Sequence, residues 1–180
     1  MRDAVYTLSG RIDSPTVQRF VETLQKQIDD SCERLHILIN SQGGNVSIAL
    51  ALAHLIKSLP CKVITYNISN VDSAALIVFV AGEERKCARA GTFYLHPVSI
   101  EVSGVKTAKE LRAMADVVDS DARRLMEFMQ TRTSISSKVW LEKMDACESI
   151  SATDAVKIGL ATEIAEPAIE FGWQGVGAAI

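Results

Sequence analysis

The sequence predicts a single α/β domain, because short apolar runs alternate with segments of helical periodicity along most of the chain. Its 180 residues suffice for one hydrophobic core, and 48% of them are hydrophobic against 23% charged, which excludes a disordered chain. The continuous apolar run Leu35–Asn40 is typical of a strand that is buried on both faces, as the strands of parallel sheets are.

The first half of the chain predicts strands and helices in alternation. A short strand at Val5–Leu8 precedes an amphipathic helix, for which Ser14 is the predicted N-cap and Pro15 the first helical residue. After the strand at Leu35–Asn40, the predicted elements are an almost wholly buried helix at Ser47–Leu59, a strand at Lys62–Ile68, a short apolar helix that ends at Gly82, and a strand at Thr92–His96.

A long helix dominates the second half of the chain. Thr107–Thr131 carries apolar residues at helical spacing among charges, and at about 1.5 Å per residue it would extend to nearly 40 Å. A helix of that length leaves the core of so small a domain, so we expect it to pack on another protein surface. Two further helices are predicted, one near Ser136–Asp145 and one that Ser151 caps and Gly159 ends. The domain is predicted to span residues 1–165, and residues 166–180 form a Gly-rich tail that we expect to be loosely ordered.

Charge and cysteine content exclude several classes of function. Lys and Arg number 19 against 22 Asp and Glu, so the net charge of −3 provides no basic surface for nucleic acid. No apolar stretch approaches the roughly 20 residues of a membrane span, and the first residues lack a signal-peptide pattern. The four cysteines are irregularly spaced and form no CxxC pair, which predicts free thiols and no metal site: Cys32, Cys61, Cys87 and Cys147. We therefore expect a cytoplasmic protein without a nucleic-acid or membrane partner.

Two turns between a strand and a helix carry residues of chemical interest. In the first, Ile39–Val46, paired glycines allow a ligand to approach backbone N–H groups closely, although on this motif alone an ordinary tight turn is the commoner explanation. In the second, Ser73 stands at the start of an apolar helix, where the N–H of Ala74 can face an oxyanion. The alternative for this turn is a simple helix cap, by Ser73 itself or by Asp72.

The three histidines differ in their predicted environments. His96 ends a strand and precedes Pro97, a position where catalytic residues of α/β folds gather, although a structural role is the commoner one for a single histidine. His54 lies in the middle of an apolar helix and is predicted to be a hydrogen-bonded core residue. His36 lies within a strand.

Taken together, these motifs resemble those of the Clp protease proteolytic subunits, serine peptidases with a crotonase-like fold. INSQGGNV is similar to the INSPGG element of that family, with Gln42 in place of its proline, and the interval from Gly44 to Ser73 is the same. SAALIVFVAGEERKCARAGTFYLHP is similar to the family's nucleophile helix and the strand that ends in histidine. SATDAVKIGLATEI resembles its C-terminal element, so the resemblance covers Val5–Ile164.

The resemblance implies a βαβ spiral of the ClpP/crotonase type with the long helix as a protruding handle. It implies peptide hydrolysis through an acyl-enzyme, with Ser73 as nucleophile and His96 as general base. The N–H groups of Gly44 and Ala74 would form the oxyanion hole, and no cofactor would be required. It further implies peptide or unfolded-protein substrates, a homo-oligomer of stacked rings joined through residues 107–131, and an ATP-driven unfoldase as partner.

The chain departs from the family pattern at the acid that orients the histidine. In the family, the aspartate lies four residues before the serine of the C-terminal element, and that position is Cys147 here. Counting forward from His96 by the family's interval between histidine and aspartate leads instead to Asp145. We expect Asp145 to be the orienting acid, with Glu148 as the next choice and no acid as the third. Asp72 also departs from the family, which has a small alanine there, and its carboxylate could oppose the charge of the oxyanion.

Further departures concern docking and the substrate groove. Little chain precedes the first strand, so we expect the family's axial-loop segment to be missing, and HPVSIEVSG replaces the family's glycine-containing stretch after the histidine. Two other functions remain open. One is a catalytically degenerate subunit that serves ring assembly or partner binding, and the other is an acyl-CoA enzyme of the crotonase type.

Overall fold

The structure, a computed structural model, describes residues 3–27, 32–168 and 176–179. They form helices packed against one mixed sheet. The strands are β1 (Asp3–Ile12), β2 (Arg34–Gly44), β3 (Lys62–Asp72), β4 (Glu84–Cys87), β5 (Thr92–Tyr94), β6 (Ser149–Ser151), β7 (Glu163–Ile164) and β8 (Val176–Ala179). The helices are α1 (Ser14–Gln27), α2 (Val46–Lys57), α3 (Ala75–Ala81), α4 (Ala108–Gln130), α5 (Ser137–Asp145) and α6 (Ala152–Lys157).

The sheet is parallel except at one edge. Its order is β6-β5-β3-β2-β1-β8, and β4 pairs with both β3 and β7. Only β5 and β6 run antiparallel among the described strands. Helices α1, α2 and α3 follow β1, β2 and β3 in turn, which is a succession of βαβ units. The predicted α/β class is therefore confirmed.

Strand β3 divides one of its edges between two partners. Ile64–Asn67 pair with β4, and Asn70–Asp72 pair with β5. The buried Asn67 lies where the first partner ends and the second begins. Its side chain donates to the Thr92 carbonyl at 2.8 Å, and its own carbonyl accepts from Ala88 N–H at 2.9 Å. This arrangement brings the end of β5, and therefore His96, beside the end of β3.

Helix α3 is the centre of the hydrophobic core. Every residue of Ala75–Ala81 is buried, because the helix packs against β2, β3, α2 and α4. Its Phe79 ring lies 5.0 Å from the ring of Phe93 on β5. A helix that is apolar on all sides must be enclosed by protein, which accounts for the uninterrupted apolar sequence after Ser73.

Two local predictions are wrong. The N-cap of α1 is Asp13, not Ser14, because the Asp13 carboxylate accepts from Thr16 N–H at 2.9 Å. His54 is exposed and lies edge-on to Phe128, since it falls on the one side of α2 that the core leaves uncovered. Within the predicted tail, Val176–Ala179 pair with β1, whose edge would otherwise present unpaired backbone groups.

The long helix is confirmed nearly at its predicted bounds. Thr107 and Glu110 form a reciprocal capping box that fixes its start. Its buried residues all lie in the second half: Ala122, Leu125, Met126, Phe128 and Met129. The first half therefore extends away from the core of the described chain. Among the described helices, none combines the length and apolar character that a bilayer crossing requires.

Two guanidinium groups bind backbone carbonyls around the end of α3. The buried Arg85 donates to the carbonyls of Leu160 at 2.9 Å and Gly159 at 3.0 Å. Arg132 donates to the carbonyls of Val80 and Gly82, both at 2.9 Å. Burial lowers the pKa of Arg85, and the neighbouring Arg132 lowers it further. The backbone carbonyls that these two cations satisfy would otherwise be left without a partner in the protein interior.

Replacing the buried guanidinium should destabilise the fold. We expect Arg85→Met to lower the free energy of unfolding by about 2–4 kcal/mol, because several carbonyls lose their donor together. Urea unfolding monitored by circular dichroism measures this loss. The matched control is Arg89→Met at an exposed position, where we expect a change within about 0.5 kcal/mol. Equal losses in the two variants would contradict the structural role of Arg85.

Candidate active site

One pocket gathers the residues that the sequence singled out. Its volume is about 190 Å³, and its lining comprises Arg11, Gln42, Gly43, Gly44, Val46, Ser73, His96, Val98 and Ser99. The end of β2, the turn from β3 to α3 and the segment after β5 each contribute part of this lining. Ser73, His96 and Gly44, which are distant in sequence, are therefore brought together in one concave site.

Ser73 adopts a backbone conformation that is rare for its residue type. Its φ is 54°, in the left-handed region, and its N–H donates to the Tyr94 carbonyl at 2.8 Å. The helix N-cap is Ala74, and no side chain caps α3, so neither Ser73 nor Asp72 serves as the predicted cap. Strained residues of this kind concentrate at functional sites, because the surrounding structure must hold them in place.

The glycine turn allows β2 to approach the Ser73 turn closely. Gly43 has φ 86°, and a Cβ at this position would lie 2.6 Å from the Asp72 carbonyl and 2.9 Å from the Ala74 nitrogen. The N–H of Gly43 is already bound to the Ser41 hydroxyl at 3.1 Å. Glycine is needed at position 43 both for its positive φ and for the space that it leaves.

His96 is held by a backbone carbonyl. Its Nδ1 lies 2.9 Å from the Pro97 carbonyl oxygen, which can only accept, so Nδ1 carries the proton. The lone pair is then on Nε2, which is the tautomer that a general base of this kind requires. Within the described residues, no hydrogen bond joins Ser73 Oγ to His96, and no carboxylate is bound to the imidazole.

The acids predicted to orient His96 make other contacts or none. Asp145 is the exposed last residue of α5. The Glu148 carbonyl accepts from Leu95 N–H at 3.0 Å, beside His96, but the Glu148 carboxylate forms an ion pair with Lys143 at 2.6 Å. Cys147 has φ 51° and occupies the left-handed position that ends α5: its N–H donates to Met144, and the next N–H donates to Lys143. The structure therefore does not bring Asp145 into contact with His96, and its predicted role has no contact to support it.

The sequence left two roles open for Asp72, a helix cap or a charge that opposes the oxyanion. It pairs with Tyr94 in the β3–β5 register, and its Oδ1 is buried with no hydrogen-bond partner in the described part of the chain. Burial raises the pKa of the Asp72 carboxyl, whereas the Tyr94 backbone and His96 lower it. The position of Tyr94 two residues before His96 was the available sequence signal, because alternate residues of an extended segment face the same side.

No cluster of three or more potential metal-ligating side chains forms within residues 3–27, 32–168 and 176–179. The polar groups of the pocket are two hydroxyls, an imidazole, a guanidinium, an amide and backbone N–H groups. Such a set suits acyl transfer by a side-chain nucleophile.

The close approach at Gly43 can be tested against a second glycine of similar backbone conformation. Gly10 has φ 81° with open space around it, so Gly10→Ala should cost only the conformational strain, about 1–2 kcal/mol. Gly43→Ala adds a clash with the Ser73 turn, and we expect a loss at least about 2 kcal/mol larger. Urea unfolding of both variants measures the difference. Equal losses would show that the turn is not tightly packed on β2.

Comparison with known proteins decides the family. The family model described as Clp protease matches residues 1–168. The chain belongs to the Clp protease family. The family resemblance drawn from the motifs is thereby confirmed.

Individual Clp protease relatives are distant in sequence. An ATP-dependent Clp protease proteolytic subunit from Paracoccus denitrificans is 31% identical over 116 residues, which are 61% of this chain and 58% of that protein. The translocation-enhancing protein TepA from Halalkalibacterium halodurans is 27% identical over 142 residues, 73% of this chain and 53% of that protein. The match thus spans little more than half the length of these two relatives. ATP-dependent Clp protease proteolytic subunit 2 from Corynebacterium diphtheriae is 22% identical over 171 residues, which are 93% of this chain and 85% of that protein.

A solved structure supports the Clp protease fold. A mutant of ClpP1 from Listeria monocytogenes superimposes with a TM-score of 0.78 and covers 91% of each chain at 21% identity. The predicted ClpP/crotonase-like fold is therefore confirmed.

Proposed function

We propose that this Clp-family chain is a serine endopeptidase that cleaves peptide bonds through an acyl-enzyme on Ser73. The observation that carries the proposal is the shared pocket in which the strained Ser73, His96 and the glycine turn meet. A structural serine has no need of a left-handed backbone, and a structural histidine has no need to face the same pocket. Membership of the Clp protease family supports the same chemistry.

The proposed first step is acylation of the serine. Ser73 Oγ forms a bond to the carbonyl carbon of the substrate, and its proton passes to Nε2 of His96. The imidazolium then donates that proton to the leaving amine as the C–N bond breaks, and water releases the acyl group by the reverse sequence. Because Ser73 and His96 are not hydrogen-bonded in the structure, the imidazole must rotate towards the serine when substrate binds. In many hydrolases the hydrogen bonds between catalytic residues are long without substrate and shorten only in the complex with substrate.

The proposed oxyanion hole lies between the two turns. The Ala74 N–H precedes the first turn of α3, where amides have no partner within the helix, and Gly44 is on the facing end of β2. Two such donors would stabilise the tetrahedral intermediate by roughly 3 kcal/mol each. Gly43 is unsuited to the role, because its N–H is bound to Ser41.

A degenerate subunit is the second candidate function. It is favoured by Cys147 at the family's aspartate position and by the lack of a bond between Ser73 and His96 in the described structure. In that case the pocket would be a remnant, and the chain would serve ring assembly. No observation favours the crotonase-type acyl-CoA enzyme, so we do not propose it.

We also propose that the chain forms a homo-oligomer through the first half of α4. Leu111 and Val117 on this half are 48% and 54% exposed, although the helix is amphipathic and the core covers only its second half. Association of α4 with the same helix of a second copy would bury these side chains. Stacked rings, an ATP-driven unfoldase as partner, peptide substrates and a cytoplasmic location are proposals that rest on the family and on the unpaired cysteines.

Covalent labelling with a fluorophosphonate tests the proposed nucleophile. We expect one label per chain in the wild-type protein, measured by intact mass, because the activated Ser73 Oγ attacks the phosphorus. Ser73→Ala should lose the label, and His96→Gln should label at least 100-fold more slowly. The matched control is Ser99→Ala, which removes a hydroxyl from the same pocket and should label fully.

Failure of the wild-type protein to label, while folded and oligomeric, would contradict the peptidase proposal and favour the degenerate subunit. Tight binding of coenzyme A by that unlabelled protein would instead favour the crotonase-type enzyme. Labelling that persists in Ser73→Ala would show that a different nucleophile reacts.

The assembly surface can be tested by placing a charge on it. We expect Leu111→Asp to raise the apparent dissociation constant of the oligomer at least tenfold, because the carboxylate would be buried between helices. Mass photometry across a dilution series measures this. Lys109→Asp introduces the same side chain on the charged side of α4 and should leave the mass unchanged. An unchanged oligomer in both variants would contradict the proposed interface.

A further inference from the structure

Strand pairing places Asp72, Tyr94 and His96 together. Asp72 and Tyr94 are register partners in the parallel pair β3–β5, so their side chains leave the same face of the sheet. His96 follows Tyr94 by two residues, and the two rings lie 5.8 Å apart with a 32° tilt. The carboxylate next to the proposed nucleophile is thus on the histidine side of the turn.

The carboxylate of Asp72 is incompletely satisfied. Its Oδ1 is buried and has no hydrogen-bond partner among the described residues, which is uncommon for a buried carboxylate oxygen. Burial raises the pKa of this carboxyl, whereas the Tyr94 backbone and, less strongly, the charge of His96 lower it. An N–H donor supplied by His96 would complete the hydrogen bonding of this oxygen.

The imidazole, for its part, has only a weak partner. The Pro97 carbonyl holds Nδ1–H at 2.9 Å, but a neutral carbonyl stabilises an imidazolium less than a carboxylate does. The two other acids considered, Asp145 and Glu148, are exposed or paired with Lys143. Of these three carboxylates, Asp72 is therefore the one that combines an oxygen without a hydrogen-bond partner among the described residues with a position on the same strand face as the histidine.

We propose that Asp72 is the positioning residue that orients His96 and stabilises its charged form during acylation. When the imidazole rotates towards Ser73, Nδ1–H exchanges the Pro97 carbonyl for Asp72 Oδ1, and Nε2 turns to the serine hydroxyl. Asp72 stays ionised and takes no proton. This role rests on the proposed peptidase function.

Asp72 has no competing role as a helix cap. No side chain caps α3, so the Asp72 carboxylate is not bound to the helix amides. Cys147 and, more weakly, Asp72 raise the pKa of the Tyr94 hydroxyl.

Labelling kinetics with the fluorophosphonate test the role of Asp72. We expect Asp72→Asn to lower the maximal labelling rate at least tenfold while the half-saturating probe concentration changes less than twofold, because the loss falls on the chemical step. Glu142→Gln, which neutralises an exposed carboxylate on α5, is the control and should label at the wild-type rate. Asp72→Ala repeats the test with a smaller side chain if the amide variant does not fold.

A double-mutant cycle in labelling rate separates a positioning role from a purely structural one. Because Asp72 acts through the imidazole, we expect Asp72→Asn to lower the labelling rate at least tenfold in the wild-type background but less than twofold in the His96→Gln background. Equal losses in both backgrounds would overturn the proposal, as would a rate loss in Asp145→Asn that is absent from Asp72→Asn. Failure of the wild-type protein to label would contradict the peptidase function and this role with it, whereas normal labelling that Asp72→Asn does not slow would overturn the Asp72 proposal alone.

Discussion

The divided edge of β3 is the constraint on which the site depends. Because β3 pairs first with β4 and then with β5, the chain can return to the same strand end with a second strand and deliver His96 there. Asn67 makes the change of partner possible, since its buried amide binds the Thr92 carbonyl while its backbone still pairs towards β4. The apolar α3 fills the space behind this division, and Arg85 and Arg132 both donate to the Gly82 carbonyl at its far end. The core thus holds the strand ends rigid at the point where the proposed chemistry takes place.

The strain at Ser73 follows from the same geometry. The turn from β3 to α3 must reverse direction within two residues, and the Tyr94 carbonyl and the tightly packed Gly43 hold it on both sides. The two contacts come from β5 and β2, so three strand ends together determine where the hydroxyl lies. A site built on strand ends in this way is more precise than one carried on a free loop.

Sequence reasoning located the residues whose position depends on their neighbours in the chain. The paired glycines, Ser73 and His96 were singled out because each stands at the end of a predicted strand, and the structure gathers them in one pocket. It could not supply contacts that depend on pairing across the sheet. Counting along the chain led to Asp145, and α5 ends in a left-handed turn at Cys147 that leaves Asp145 exposed. Asp72 was considered as a helix cap because it precedes a helix, and only the structure reveals its register with Tyr94. The short strand β4 and the pairing of β8 with β1 could not be predicted from local sequence either, because both depend on strands that are distant in the chain.

A crystal structure of the protein phosphonylated on Ser73 would test the central claim that the three strand ends form a catalytic serine site. The account predicts the phosphonyl oxygen within hydrogen-bond distance of the Gly44 and Ala74 N–H groups, about 2.7–3.1 Å. It also predicts His96 Nε2 facing the ester oxygen and Nδ1 facing Asp72. A phosphonyl oxygen directed away from both amides, with His96 still bound to the Pro97 carbonyl, would contradict it.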